Sequence, residues 1–154
     1  MRLPARLAVL LGVISGFACG GEKTFDPPSR EARVAEAEAL YSPALFDSIG
    51  WSSADERALE GNGVYAARCR DCHGTVGRGD TEYARAQGLD MPSLVESEWS
   101  MSMSMDSVRH RIFVGHVAGM PQWGVAGISN REIDAVAFYV LERLRPEILN
   151  EGGD

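Results

Sequence analysis

Residues 61–74, GNGVYAARCRDCHG, decide the reading of this chain. Cys69 and Cys72 stand three positions apart, so on a helical turn both thiols leave the backbone on the same side. His73 follows directly. Upstream, Ala58, Gly61, Tyr65 and Cys69 recur at helical intervals on one face, and Ser53 and Glu56 have the spacing of a capping box that would start that helix. A glycine inside a helix costs about 0.5–1 kcal/mol relative to alanine. Close approach by another backbone would compensate at Gly61; a tolerated surface glycine is the alternative.

Cys69-Arg70-Asp71-Cys72-His73 is a C-x-x-C-H sequence, the pattern of covalent haem attachment. The two sulfurs reach the two vinyl groups of a porphyrin and form thioethers, and His73 lies under the iron as its proximal ligand. Three other readings compete. A zinc half-site needs two further ligands, for which only His110 and His116 are left. A thioredoxin-type redox pair sits at a helix start after a strand, whereas this pair sits at a helix end. A structural disulfide would leave His73 a coincidence.

The remaining chain reads as helical. Ser129 and Glu132 form a second capping box, followed by Ile133, Val136, Ala137, Val140, Leu141 and Leu144 in an i, i+3, i+4, i+7 pattern. Pro146 is expected to end that helix. A middle helix is predicted over Met105–Val114, capped near Ser104 or Asp106 and broken by Gly115. Ser29 could cap a short helix over Arg30–Leu40 whose apolar face is thin (Val34, Ala37, Tyr41), either a spacer or an element packed on the domain. No run alternates with period two, so no strands are expected. The long loop between the first and middle helices of the domain needs something to wrap around.

Three stretches together resemble a known family: Gly61-x-x-x-Tyr65-x-x-x-Cys69-x-x-Cys72-His73-Gly74, then Gly115-His116-Val117-Ala118-Gly119-Met120-Pro121, then residues 133–144. They look like the start, the distal-ligand loop and the closing helix of a class I c-type cytochrome. The nearest likeness is to monohaem proteins of the cytochrome c oxidase subunit III-like group, over residues 54–146. The resemblance implies an all-α cytochrome c fold, about three to five helices around one covalently bound haem c. It implies that Cys69 and Cys72 hold the haem, that His73 is the proximal ligand and that Met120 is the distal one. Gly61 and Tyr65 would cross the last helix against Val136 and Tyr139, and the Pro92 carbonyl would accept a hydrogen bond from His73. One-electron transfer between redox protein partners is the function it implies.

Some residues fall outside that pattern. Met101, Met103 and Met105 alternate with serines, as packing filler, as a soft-sulfur Cu(I) site, or as rivals to Met120. His116 could replace Met120 and give a bis-His haem, while His110 reads as a solvated helix residue. Arg78 and Arg85 are candidates for the haem propionates or plain surface charges. Three function classes follow: a free electron carrier, a cytochrome subunit fixed in a larger membrane oxidoreductase, and a haem sensor or enzyme with a labile distal ligand.

The N-terminus argues for export. Arg2 and Arg6 precede an apolar run over residues 7–17 that ends at Ala18, the layout of a signal peptide. Its roughly 11 apolar residues fall short of the about 20 that span a bilayer. Cys19 follows at once, in a setting that looks like a bacterial lipobox, so acylation there would tether the chain to the membrane surface; an ordinary cut after Ala18 would leave a free thiol. The expected division is signal peptide 1–18, lipid-anchored tether 19–53, cytochrome domain 54–146 and tail 147–154, with the mature chain on the periplasmic side. The 154 residues carry a formal net charge of −7, and losing residues 1–18, with two arginines and no acid, makes the chain more negative still. That charge argues against nucleic acid and suits a basic partner.

Overall fold

The computed structural model describes residues 26–96, 103–125 and 127–151. The expected signal peptide, Cys19 and Met101 lie outside them. Among the described residues no strand occurs, and the frame is four helices of ten or eleven residues: α1 Arg30–Leu40, α2 Ala54–Val64, α5 Met105–Val114 and α6 Asn130–Tyr139. Shorter pieces join them: a 3₁₀ turn at Pro43–Phe46, α3 Arg70–His73, α4 Glu82–Ala86 and α7 Arg145–Glu151. The all-α expectation holds. No described helix is long and apolar enough to cross a membrane.

Serine hydroxyls start each of the long helices. Ser29, Ser53, Ser104 and Ser129 accept from the backbone amides of Ala32, Glu56, Ser107 and Glu132, which satisfies amides left without partners in a first turn. The box at Ser129 is complete, with the Glu132 carboxylate accepting from the Ser129 amide at 2.7 Å. The box expected at Ser53 is shifted by one residue. The Glu56 carboxylate accepts instead from the amide and hydroxyl of Ser52.

The core lies where α2 crosses α6. A Cβ placed on Gly61 would fall 2.7 Å from the Ala135 carbonyl carbon and 2.7 Å from the Tyr139 Cβ. Any larger residue at 61 would force the helices apart. Ile133, Val136, Ala137, Val140 and Leu144 are buried beneath this crossing. Tyr65 is buried too, and its ring lies 5.7 Å from that of Tyr139.

Pro146 does not end the last helix. Val140–Leu144 forms a wide π turn, and α7 continues through the proline to Glu151. An α-helical amide at position 146 would serve the Glu142 carbonyl, and proline has none. The Arg143 guanidinium takes its place, donating to the Glu142 carbonyl at 3.2 Å.

The helix over Arg30–Leu40 packs on the domain rather than standing away as a spacer. Ala37 is fully buried. Tyr41 stacks edge-on against His110 of α5 at 4.6 Å, and His110 pairs with Glu38 at 2.9 Å, so His110 is less solvated than expected. Farther along, Phe46 enters the core and the Trp51 indole donates to Asp134 of α6 at 2.6 Å.

Candidate functional site

Cys69 and Cys72 straddle an irregular turn. Tyr65–Cys69 is a single π turn, closed by the Arg70 amide on the Tyr65 carbonyl, and α3 follows over Arg70–His73. Such one-turn bulges concentrate at functional sites. The end of α3 is tied down from three sides. The Tyr65 hydroxyl donates to the Gly74 carbonyl at 2.7 Å, the Thr81 hydroxyl to the Asp71 carbonyl at 2.8 Å, and the Gly79 amide to the His73 carbonyl at 2.9 Å. These bonds fix the orientation of the Cys-x-x-Cys-His segment.

Opposite lies the loop after α5. Gly115 stops α5 at φ 73°, a left-handed conformation that glycine adopts without strain. The chain then folds back on itself, with the His116 amide donating to the Met120 carbonyl at 3.0 Å. A Cβ at Gly115 would sit 2.6 Å from the Pro121 carbonyl oxygen, so the fold-back that presents Met120 also requires glycine.

Between the two segments is a cleft of about 440 Å³. Cys69, His73 and Met120 all line it, among apolar side chains that include Leu94, Ile112, Val136 and Val140. Tyr65 and Pro92 line it too, whereas Cys72 is half-buried beside it and Gly61 and Tyr139 stand behind, at the helix crossing. Cys69 and Cys72 are both free thiols, so no disulfide joins them. Burial pushes the Cys69 thiol up to about 12 and raises that of Cys72 as well.

His73 is suited to ligation. Burial lowers its pKa to about 4, so at neutral pH the ring is uncharged and keeps a lone pair for a metal. Its Nδ1 is buried without a hydrogen-bond partner, so the bond expected to the Pro92 carbonyl is not formed. The neighbouring backbone is held elsewhere, by the Leu94 amide on the Gly77 carbonyl at 2.7 Å.

The rivals separate on geometry. His116 lines the cleft, but its Nδ1 accepts from the Ala118 amide at 3.2 Å. In the neutral ring that puts the proton on Nε2, the nitrogen that could otherwise turn to a metal. Met103 lines the cleft, while the Met105 sulfur lies 3.8 Å from Arg57 Nη2, so these two sulfurs do not form one site. Among the described residues no three His, Cys, Asp or Glu side chains converge to hold a metal ion, and His110 is paired with Glu38 instead. Arg78 and Arg85 do not line the cleft; Arg85 is bound to the Asp80 carbonyl.

A buried cluster that the sequence did not signal lies nearby. Asp134 is 1% exposed and accepts from Arg57, Arg109 and Trp51, with Arg57 Nη2 at 2.6 Å. It ties α2, α5 and the segment before α2 to α6.

A neutral imidazole and two soft sulfurs facing one apolar cleft fit a covalently held haem. The family description "Cytochrome C oxidase, cbb3-type, subunit III" matches residues 56–140, the stretch from the first turn of α2 to the end of the α6 core. The chain belongs to the cbb3-type cytochrome c oxidase subunit III family. Its cytochrome c domain is therefore that of a haem c protein. The chain is 27% identical over 117 residues to "Cbb3-type cytochrome c oxidase subunit CcoP" of Rhodobacter capsulatus, covering 67% of this chain and 37% of that protein. It is 26% identical over 112 residues to the protein of the same description from Rubrivivax gelatinosus, covering 72% of this chain and 34% of that protein. The chain thus spans little more than a third of the length of these relatives. No solved structure matches it.

Proposed function

We propose that the chain is an exported class I cytochrome that carries one haem c and passes single electrons. Cys69 and Cys72 hold the haem covalently, His73 is the proximal ligand and Met120 the distal one. The observation that supports this most is that Cys69, His73 and Met120 line one largely apolar cleft. The haem supplies an iron that changes charge by one. The protein residues would do the rest: His73 and Met120 would hold the iron, and the apolar walls would exclude water. A thioether ligand raises the potential relative to a second imidazole, and a low-dielectric cleft favours the reduced, less charged iron.

On this reading residues 1–18 are removed and acylated Cys19 tethers the domain to the periplasmic face of a bacterial membrane, near redox partners held there. Relatives described as oxidase subunits favour a second reading, a cytochrome subunit fixed in a larger membrane complex. Purification from membranes distinguishes the two, since a carrier comes away alone and a subunit brings its partners.

Met120→Ala tests the ligand set. The sulfur-to-iron absorption band of the oxidised protein should vanish, and the reduced protein should bind carbon monoxide. A band that survives the substitution rules out Met120 as distal ligand.

A further inference from the structure

We infer that Arg111 holds a haem propionate at the cleft, an inference that rests on the haem reading above. A haem brings two carboxylates into a site whose walls are mostly carbon. A carboxylate taken from water without a partner is strongly disfavoured, so the walls must offer a cation or leave both acids in solvent. The charged or titratable groups other than the thiol and phenol that line the cleft are Arg111, Asp90, His73 and His116. His73 is neutral through burial and is the proposed ligand. His116 is held by the Ala118 amide on Nδ1. Asp90 repels an anion. Arg111 is left as the permanent cation.

The position of Arg111 on its helix supports this. Val108 and Ile112, three before and one after it on α5, also line the cleft, so this face of α5 forms the wall. Arg109, two residues earlier, is committed to Asp106 at 2.8 Å and to Asp134. Arg111 makes no side-chain ion pair or hydrogen bond among the described residues, although it is exposed and free to reach. Its stem can lie on the apolar wall with the guanidinium at the rim. A planar fork there matches a carboxylate in two-point contact.

Neutralising a propionate removes negative charge near the iron and favours the reduced state. In the intact haem-loaded protein, Arg111→Gln should therefore shift the oxidation equilibrium about tenfold toward the ferric form, a fall of about 59 mV for a one-electron couple. Arg111→Lys, which keeps the charge, should recover most of that shift. Covalent haem content and the sulfur-to-iron band should match wild type in both. In a crystal structure of the wild-type haem protein, the guanidinium should bond a propionate oxygen. An unchanged potential in Arg111→Gln at full haem content overturns the assignment. So does a structure with the guanidinium turned away from both propionates, which decides the matter even if Arg111→Gln fails to mature. A wild-type chain without thioether-bound haem overturns the reading beneath it as well, so the two failures are distinct.

Discussion

Gly61 and Tyr139 meet where α2 crosses α6, so closely that a methyl group on Gly61 would fall 2.7 Å from the Tyr139 Cβ. Neither helix can yield without moving Tyr65 or Val136, both buried and both lining the cleft. Alanine is the better helix former by about 1 kcal/mol, yet overpacking costs about 1–3 kcal/mol. Gly61→Ala should therefore destabilise the protein by up to about 2 kcal/mol in denaturant unfolding, and Gly61→Val by more. If Gly61→Ala stabilises the fold, the crossing is looser than described.

The Tyr65 hydroxyl holds the Gly74 carbonyl at the far end of the Cys-x-x-Cys-His turn. Tyr65→Phe removes the donor and leaves that carbonyl only the Gly77 amide at 3.3 Å, a loss of about 1 kcal/mol. The expected signature is lower stability with haem content retained, because the thioethers do not depend on this bond. A midpoint of unfolding equal to wild type would show that the bond contributes nothing.

Asp134 is the anion on which Arg57 and Arg109 converge. Removing one partner of a buried charge cluster costs about 3–5 kcal/mol, because the remaining charges stay desolvated. Asp134→Ala should lose that much and leave the absorption spectrum of any folded protein unchanged, since Asp134 does not line the cleft. A loss below about 1 kcal/mol would mean that water reaches the cluster.

The box at the start of α6 carries a pH dependence of known sign. The Ser129 amide and hydroxyl both donate to the Glu132 carboxylate and lower its pKa below 4.5. A carboxyl depressed in the folded state stabilises it above the unfolded pKa, and the contribution is lost as pH falls through the folded value. Wild type should therefore lose stability relative to Glu132→Gln as pH drops below about 4.5. Ser129→Ala should cost about 1 kcal/mol at neutral pH. Parallel pH–stability curves for wild type and Glu132→Gln would contradict the assignment.

How much of this is legible in the sequence follows from the range of each signal. Helix starts are readable because a serine and the amide it caps lie three residues apart, as at Ser29, Ser53, Ser104 and Ser129. The stop at Gly115 is equally local. The π turns at Tyr65–Cys69 and Val140–Leu144 leave no such mark, since widening a turn changes the backbone ladder and not the apolar pattern. That is why Pro146 misleads: a π turn precedes it, and the Glu142 carbonyl, which proline cannot serve, accepts from Arg143. Cys69, His73 and Met120 are legible through motif chemistry. Arg111 is not, because its value depends on where α5 lies against the cleft, whereas Arg78 and Arg85 stand closer to the motif and do not line it. The cluster at Asp134 joins residues that are up to 83 positions apart, beyond any local pattern.

The most direct measurement is the intact mass of the protein purified from its native host, taken with an extraction in acidified organic solvent. One tetrapyrrole of added mass is expected beyond the bare chain and any acyl groups on Cys19, with the colour remaining on the polypeptide and lost only when Cys69 and Cys72 are both replaced by alanine. Pigment that passes into the solvent, or a mass unchanged by replacing both cysteines beyond the two substitutions themselves, would contradict a covalently bound haem.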